Sequence, residues 1–263
     1  MPKRWTIKEE NEHRKRLRDL YVKQNKTIAE VGEILGIAEQ TVFERLKRLD
    51  IPPAPYLKRN YLNKRSDISI PKNFTADLAE FFGIMLGDGG VTHFQIIVTL
   101  GNKEASYAEY VRNLINKIFN VYPKVSIRKT GHRDIYLGSV DLTSWLIGHG
   151  FAHNKVRSQV DVPKLIFSDA KYMRRLLRGF FDTDGSVYKI RFGIQISLCN
   201  KSRPLLESLR KMLINLQFKP SGISSNKIYL TRADDVQNFF KEIKPQNSKH
   251  QQRFHDFIKQ SRR

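Results

Sequence analysis

Hydrophobic residues recur at helical spacing in two short runs near the amino end of the chain. Within residues 27–49, one apolar stripe is formed by Ile28, Val31, Ile34 and Leu35, and a second by Val42, Leu46 and Leu49. Gly36 lies between the runs, where a tight turn is expected, and Ala29 is small enough to let two helices approach. The pattern predicts two helices, the second starting near Ala38, preceded by a basic helix over about residues 8–23.

This pair of helices resembles a helix-turn-helix, which we assign to residues 1–50. In that motif the first residues of the second helix enter the major groove, so Gln40, Thr41 and Arg45 are the predicted DNA contacts. The alternative is an ordinary helical hairpin with a solvated charged face, which could equally bind protein. Residues 51–70 include three prolines and several basic and aromatic residues, so they predict a linker that either follows DNA or acts as a plain spacer.

The rest of the chain contains a duplication. Gly83, Asp88 and Gly89 recur as Gly179, Asp184 and Gly185, at an offset of 96 residues (184 − 88). Downstream, VTLGNK at 98–103 returns as ISLCNK at 196–201, and IYL at 135–137 returns at 228–230. Each half predicts helix, two strands, helix, two strands, helix. The predicted helices lie near 74–88, 103–119 and 141–149, and near 170–184, 201–216 and 234–243. We therefore expect two repeats, 71–167 and 168–263.

Small residues line one face of the first helix of each repeat. They are Gly83 and Gly87 in one repeat, and Gly179 and Thr183 in the other. Two such faces let helix backbones approach closely, which would bring Asp88 and Asp184 side by side. Gly89 and Gly185 are expected to end these helices in the left-handed conformation. Two adjacent carboxylates repel unless a cation joins them, and Mg²⁺ suits such a site.

The segments FFGIMLGDG and LRGFFDTDG resemble the two motif copies of the LAGLIDADG homing endonucleases, and the resemblance covers about residues 74–263. It implies an α+β, pseudo-two-fold fold in which two αββαββα repeats form a saddle of antiparallel sheets over DNA. It also implies that Asp88 and Asp184 are the catalytic carboxylates, with the adjoining Gly87 and Thr183 at the metal. Asp182 replaces Leu86 of the first copy and is expected to be a surface or capping residue rather than a third ligand.

Under the same resemblance, side chains of the strands would face bases or phosphates. The candidates are Gln95, Lys124, Arg128, Lys129, Arg133, Lys189, Arg191 and Gln195. A solvated strand face is the alternative. Lys155 and Lys249 follow the third helix of each half, and we expect each to contact phosphate, with a catalytic role as a further option.

The charge balance agrees with a polyanionic partner. Lys and Arg outnumber Asp and Glu by 47 to 26, and both parts of the chain share the excess: 16 basic against 10 acidic residues before residue 71, and 31 against 16 after it. No run of about 18 apolar residues predicts a membrane span. The single cysteine, Cys199, and the charged amino end predict an intracellular, reducing compartment, cytoplasmic or organellar.

The sequence therefore predicts a monomeric, site-specific endonuclease for double-stranded DNA that uses Mg²⁺ and is borne by an intron or free-standing. Two alternatives stay open. A transcription regulator would use both domains for binding alone, and a maturase would use the same basic surface on intron RNA. Because the chain begins at Met1 and ends in Ser-Arg-Arg, we do not expect a self-splicing intein.

Overall fold

The computed structural model describes residues 5–51, 67–191 and 193–261. The chain forms two compact units, residues 1–64 and 65–263. Most of the predicted linker, residues 52–66, lies outside the described residues. Within the described ranges, no helix combines the length and the apolar character that crossing a membrane would require.

The amino-terminal unit is helical. Its helices are α1 (Ile7–Leu17), continued by a π-helical segment (Arg18–Lys23), α2 (Ile28–Leu35) and α3 (Glu39–Arg48). Capping boxes start α1 at Thr6 and α2 at Thr27. The buried core of the unit consists of Leu17, Tyr21, Val31, Val42, Leu46, Leu49 and Ile51. The unit thus has its own small core, built from the two predicted stripes and the preceding helix.

The turn between α2 and α3 lies at Gly36, as predicted, but the close approach between these helices is not at the predicted residue. Gly36 adopts the left-handed conformation with φ of 66°. Ala29 is exposed, so its predicted place between the helices is wrong. Gly32 takes that place, because a Cβ added there would lie 2.7 Å from the carbonyl oxygen of Ile37. Ile34, expected in the apolar stripe, is 47% exposed since the turn folds back over the other side of α2.

The first repeat contains all seven expected elements. They are α4 (Ala76–Leu86), β1 (Gly89–Val91), β2 (Gln95–Leu100), α5 (Ala105–Phe119), β3 (Lys124–Ile127), β4 (Arg133–Gly138) and α6 (Val140–Gly148). The strands form one antiparallel sheet in the order β1-β2-β4-β3. Alternation of buried and half-buried residues along β2 shows that one face of the sheet covers the core and the other faces outward.

Among its described residues, the second repeat has one strand fewer than the first. Its elements are α7 (Ala170–Asp184), β5 (Gly185–Ile190), β6 (Gly193–Cys199), α8 (Arg203–Asn215), β7 (Lys227–Leu230) and α9 (Ala233–Ile243), followed by α10 (Ser248–Ser261). The antiparallel sheet has the order β5-β6-β7. Ser221 donates its backbone N–H to the Tyr229 carbonyl (2.9 Å), but its side-chain oxygen accepts the return bond (3.0 Å). Pro220 beside it has no N–H to donate, so a regular fourth strand does not form.

Helices α4 and α7 pack against each other at the centre of this unit, at glycines. A Cβ on Gly83 would lie 2.1 Å from the carbonyl oxygen of Leu176, and one on Gly179 would lie 2.1 Å from that of Glu80. Any side chain at either position would force the backbones apart. Around this contact, Phe81, Phe82, Phe180 and Phe181 are fully buried. The mixed fold of helices and antiparallel sheets is therefore the predicted one, organised around two central helices.

The glycines after the helices are not left-handed, so that prediction was wrong. Gly185 is extended, with φ of −88° and ψ of 161°, and Gly89 has no positive φ. Both glycines begin strands and lie over the preceding helix. A Cβ on Gly89 would approach the Met85 Cα to 2.4 Å, and one on Gly185 would approach the Phe181 ring to 2.2 Å. Glycine is needed here for space rather than for backbone conformation.

Candidate functional site

Asp88 and Asp184 stand where the two central helices end. Asp88 follows Gly87, which caps α4, and Asp184 is the last residue of α7. A Cβ on Gly87 would lie 2.0 Å from the Thr183 hydroxyl and 3.5 Å from the backbone nitrogen of Asp184, so the two helix ends are in contact. The Thr183 hydroxyl donates within its own helix to the carbonyls of Gly179 and Phe180, each at 3.0 Å. The glycine contact thereby brings both carboxylates to one place.

The environment of these aspartates opposes their ionisation. Burial, together with the neighbouring carboxylates of Asp184 and Glu104, raises the pKa of Asp88 to about 6, and the positive charges of Lys249 and Lys155 oppose this shift. Burial also raises the pKa of Asp184, opposed by Lys155 and by the hydrogen bond that Asn200 donates to it at 3.0 Å. Two partly buried carboxylates, one of which raises the pKa of the other, form a site that favours an added cation.

Lys155 lies at the end of α4. Its ammonium donates to the carbonyls of Met85 and Leu86, both at 3.1 Å, and to that of Gly87. Burial lowers the pKa of Lys155, whereas Asp184 and Asp88 raise it. The last carbonyls of a helix have no intrahelical partner and carry partial negative charge, so the ammonium both caps α4 and neutralises the aspartates.

Lys249 lies at the start of α10 and has a different partner. It donates to Glu104 at 2.7 Å, and the same carboxylate oxygen accepts from Asn247 at 2.6 Å. The predicted pair of lysines therefore lies beside the aspartates, but only one of the two carries a direct ion pair within the described residues.

Asp182 was expected to be a surface or capping residue; it is buried, and its contacts are those of a capping residue. The side chain is 0% exposed and accepts from the backbone N–H groups of Gln246 (2.8 Å) and Asn247 (3.1 Å). Burial raises the pKa of Asp182 to about 7, and these two hydrogen bonds oppose the shift. The residue caps the chain that leads into α10, and it holds the segment carrying Lys249 against α7.

Predicted DNA contacts of the first sheet do not all share one face. Arg133 pairs with the buried Leu100 and so belongs to the core side, whereas Gln95 and Lys124 lie on the outward face. Gln95 and Thr99 share that face of β2, since Ile96 and Val98 between them are buried. Arg128 is tied down, because it donates to both oxygens of Asp134 at 2.6 and 2.8 Å. Lys124, Lys129 and Arg133 are at least partly exposed, and the Arg133 guanidinium donates to the Asn102 carbonyl at 2.7 Å.

The second sheet places two of its predicted DNA contacts, Lys189 and Gln195, on opposite faces. Gln195 pairs with Tyr188 across the strands and faces outward, where it accepts from the Tyr188 hydroxyl (2.6 Å) and donates to Thr231 (2.8 Å). Lys189 pairs with the buried Ile194 and so belongs to the opposite side of the sheet. Lys189 and Gln195 therefore lie on opposite faces of the sheet, since a strand alternates its side chains. Arg191 is exposed just after β5.

In the amino-terminal unit, the predicted contacts lie in α3. Gln40 is exposed and donates to Glu44 at 3.3 Å, and Thr41 is half-buried. The Arg45 guanidinium lies 5.3 Å from the centre of the Trp5 ring, a cation–π contact that orients it. The exposed first turn of α3 is thus available to a partner.

The chemistry of the site fits a hard divalent cation. Asp88 and Asp184 supply oxygen ligands whose mutual repulsion a cation would relieve, and Mg²⁺ is commonly held by one or two carboxylates together with water and substrate phosphate. Among the described residues, no cluster of three or more His, Cys, Asp or Glu side chains is arranged as a metal cage. The carbonyl of Gly87 already accepts from Lys155, and the Thr183 hydroxyl is used within α7. The two carboxylates are therefore the residues suited to hold the ion.

Sequence reasoning missed three polar residues around the aspartates: Glu104, Asn200 and Asn247. Asn200 lies in the repeated block ISLCNK, and Asn102 occupies the matching position of VTLGNK. This repetition is a sequence signal that could have identified Asn200. The only sequence signal for Glu104 is a difference between the two repeats: glutamate follows VTLGNK, whereas Ser202 follows ISLCNK. Asn247 carries no sequence signal.

Comparison with protein families supports the motif reading. Residues 171–244 match the family model described as LAGLIDADG-like domain, which confirms the resemblance for the segment that carries the second motif copy. Two curated relatives are from Methanocaldococcus jannaschii. The replication factor C small subunit is 25% identical over 178 residues, 65% of this chain and 10% of that protein. The RNA polymerase subunit Rpo1C is 26% identical over 151 residues, 55% of this chain. The chain thus spans only 10% and 16% of these relatives.

Solved structures with a similar fold include DNA-bound homing endonucleases and a WhiA domain. The N-terminal LAGLIDADG domain of WhiA matches with a TM-score of 0.47 at 16% identity, covering 66% of this chain and 86% of its own. The homing endonuclease I-DmoI in complex with DNA and Mn gives 0.45 at 18%, covering 64% and 96%. DNA-bound I-WcaI gives 0.46 at 17%, covering 63% and 79%. These scores lie below 0.5, so the fold assignment rests on the chain's own topology and on the family match.

Proposed function

We propose that this protein is a site-specific endonuclease of the homing type that hydrolyses double-stranded DNA with a divalent cation, Mg²⁺ first among the candidates. The observation that carries the proposal is the pairing of Asp88 and Asp184 at the contacting ends of α4 and α7. Two partly buried, mutually repelling carboxylates are costly to a fold, and a cation held between them accounts for their presence.

The chain's own groups have separate roles in this reaction. Asp88 and Asp184 would hold the cation through their carboxylate oxygens. When bound, such an ion activates water and stabilises the leaving oxygen. Water adds to phosphorus, one P–O bond of the backbone breaks, and the departing sugar oxygen takes up the proton. Lys155 and Lys249 place positive charge beside the phosphate, where it stabilises the negative charge that develops.

The surfaces proposed to hold the DNA are the outward faces of the two sheets and the first turn of α3. The sheet faces present polar and aromatic groups, including Gln95, Tyr136, Tyr188 and Gln195. Such groups can read base edges, while the basic excess attracts the phosphates. A formal charge of +21 supports a large polyanionic partner. We propose the divisions 1–50 for the helix-turn-helix, 71–167 and 168–263 for the repeats, and a single chain as the active species.

The proposal predicts that either aspartate is essential for cutting but not for binding. A randomised duplex DNA library with Mg²⁺ would yield the cleaved sites. On the selected site, Asp88→Asn and Asp184→Asn should each lower the rate of double-strand cleavage by about 10³-fold or more, since each removes a cation ligand. Binding, measured in Ca²⁺ by gel shift, should change by less than about fivefold, a difference below ~1 kcal/mol.

Glu242→Gln is the matched control, because it removes a carboxylate that pairs with Arg174 on the surface. It should cut at the rate of the original protein. Unchanged cleavage by both aspartate variants would defeat the assignment of the site.

A second candidate is a DNA-binding regulator that does not cleave. Lys155 favours it, because its ammonium already lies against the Gly87 carbonyl and beside both aspartates, where it can balance their charge without a metal. The two functions separate in one assay. A regulator would bind selected DNA tightly in Mg²⁺ and leave both strands intact.

A further inference from the structure

The segment that follows the third helix of each repeat packs against the opposite repeat. Ser202, which precedes α8, donates its hydroxyl to the Val160 carbonyl at 2.6 Å. Glu104, which precedes α5, accepts from Asn247 and Lys249 at 2.6 and 2.7 Å. Glu104 and Ser202 follow the repeated blocks at matching positions. One half of the site therefore carries a carboxylate where the other carries a hydroxyl.

Glu104 is held firmly in this position. Its second oxygen accepts the backbone N–H of Gly101 at 2.7 Å, and the residue is 9% exposed. A Cβ on residue 101 would lie 2.8 Å from that oxygen, so glycine makes room for the carboxylate, whereas the matching residue of the second repeat is Cys199. Burial alone would raise the pKa of Glu104, but the hydrogen bonds from Lys249, Asn247 and Gly101 lower it below its usual value. Glu104 is consequently ionised at neutral pH.

The two lysines therefore differ in charge balance. The direct acceptors of Lys155 are neutral carbonyls of α4. Lys249 donates directly to an ionised carboxylate, which cancels much of its field at a nearby phosphate. A phosphate that approaches Lys249 also meets the negative charge of Glu104, which repels it. The aspartates differ too, since Asn200 donates to Asp184, whereas the hydrogen bonds of the described residues include none from Asn102 to Asp88.

We propose that Glu104 is a positioning residue that restrains Lys249 and makes the two strands of the DNA react at unequal rates. The strand served by Lys155 is hydrolysed first, and a nicked duplex accumulates before the second strand is cut. This inference rests on the proposed endonuclease function. It identifies a residue outside the motif that sets the order of the two hydrolysis steps.

Single-turnover cleavage tests it directly. The probe is the duplex selected above, labelled with a different fluorophore on each strand, with Mg²⁺ added to start the reaction. The original protein should cut one strand about tenfold faster, a barrier difference of ~1.4 kcal/mol. Glu104→Ser, which copies Ser202, and Glu104→Gln, which keeps the shape without the charge, should bring the ratio to within about threefold by accelerating the slow strand.

A merely structural role of Glu104 would slow both strands together, which the ratio distinguishes. Glu242→Gln should keep the tenfold ratio, and urea unfolding would establish that all variants are folded. Equal rates in the original protein, or a ratio unchanged in both Glu104 variants, would overturn the inference and leave the endonuclease assignment intact. If the original protein cuts neither strand, the proposed function fails and this inference fails with it.

Discussion

At the scale of single residues, the site is organised by carboxylates in environments that disfavour their charge. Asp88 is the clearest case, since burial and the charges of Asp184 and Glu104 raise its pKa to about 6. Asp182 has a pKa of about 7, yet its oxygens are occupied by backbone donors of the chain that leads into α10. The same shift thus marks an available group in one residue and a structural group in the other, and hydrogen-bond partners tell them apart.

The shifted pKa of Asp88 predicts a stability effect. Because the folded-state pKa lies above the unfolded value, the charged carboxylate destabilises the fold above about pH 6, and this penalty fades as pH falls toward 4. Without divalent ions at pH 7.5, Asp88→Asn should raise the free energy of unfolding by about 1–3 kcal/mol. At pH 4 the free energy of unfolding of Asp88→Asn should be close to that of the original protein. Urea unfolding followed by circular dichroism in a chelator measures both values.

Glu207→Gln serves as the control, since Glu207 lies on the surface in a pair with Arg203. It should change stability by less than ~0.5 kcal/mol at either pH. Added Mg²⁺ should stabilise the original protein and not the Asp88 variant. A destabilised Asp88→Asn protein at pH 7.5 would contradict the environment derived for this carboxylate.

At the scale of elements, the pairing of α4 with α7 determines where the aspartates lie. Each glycine opposes a carbonyl of the other helix, so the backbones touch along their length. Such a contact cannot accept added volume, because the atoms opposite each glycine belong to the backbone and cannot move aside as a flexible side chain could. The ends of both helices, and hence both carboxylates, are positioned by this packing.

Adding one methyl group in the contact should therefore be costly. Gly83→Ala and Gly179→Ala place a Cβ at 2.1 Å from a backbone oxygen, so each should lower the free energy of unfolding by about 3 kcal/mol or more. Gly148→Ala, at the end of α6, is the control, since a Cβ there meets nothing within 4 Å. It should be neutral or stabilising by up to ~1 kcal/mol. Urea midpoints of the three variants give the comparison, and equal midpoints would refute the proposed contact.

The elements also show what the sequence could and could not predict. Periodicity and the repeated blocks located the helices of both repeats to within a few residues, because apolar spacing and glycine pairs are local signals. The conformation of Gly89 was misread since a glycine kept for space and one kept for a positive φ look alike in sequence. Gly32 and Ala29 were confused because helical spacing does not say which small residue meets the turn. The role of Glu104 could not be predicted, because it depends on a contact with Lys249, 145 positions away, and no local sequence pattern records such a contact.

At the scale of the whole molecule, the proposed DNA contacts are of two kinds, those to phosphates and those to bases. The excess of basic residues occurs in both units, so phosphate attraction is spread along the chain. Base reading is proposed for uncharged side chains such as Gln40 and Thr41 in α3. These two kinds of contact respond differently to salt, since only phosphate contacts release counterions.

The last prediction uses that difference. Changing Gln40 and Thr41 together to alanine should weaken binding to the selected site by about 10-fold or more, at ~1–3 kcal/mol for a good base contact, without changing the salt slope. Changing the exposed Lys124 and Lys129 to alanine should weaken specific and non-specific binding alike, and should reduce the slope of log affinity against log salt by about 1.8. Fluorescence anisotropy from about 50 to 200 mM salt, on selected and scrambled duplexes, measures both quantities.

Lys23→Gln, on the π-helical segment of the amino-terminal unit, is the control and should leave the slope within about 0.3 of the original. If the double alanine change in α3 leaves the ratio of specific to non-specific affinity intact, the amino-terminal unit does not read sequence, because a base-contacting surface must lose discrimination when its hydrogen-bonding groups are removed.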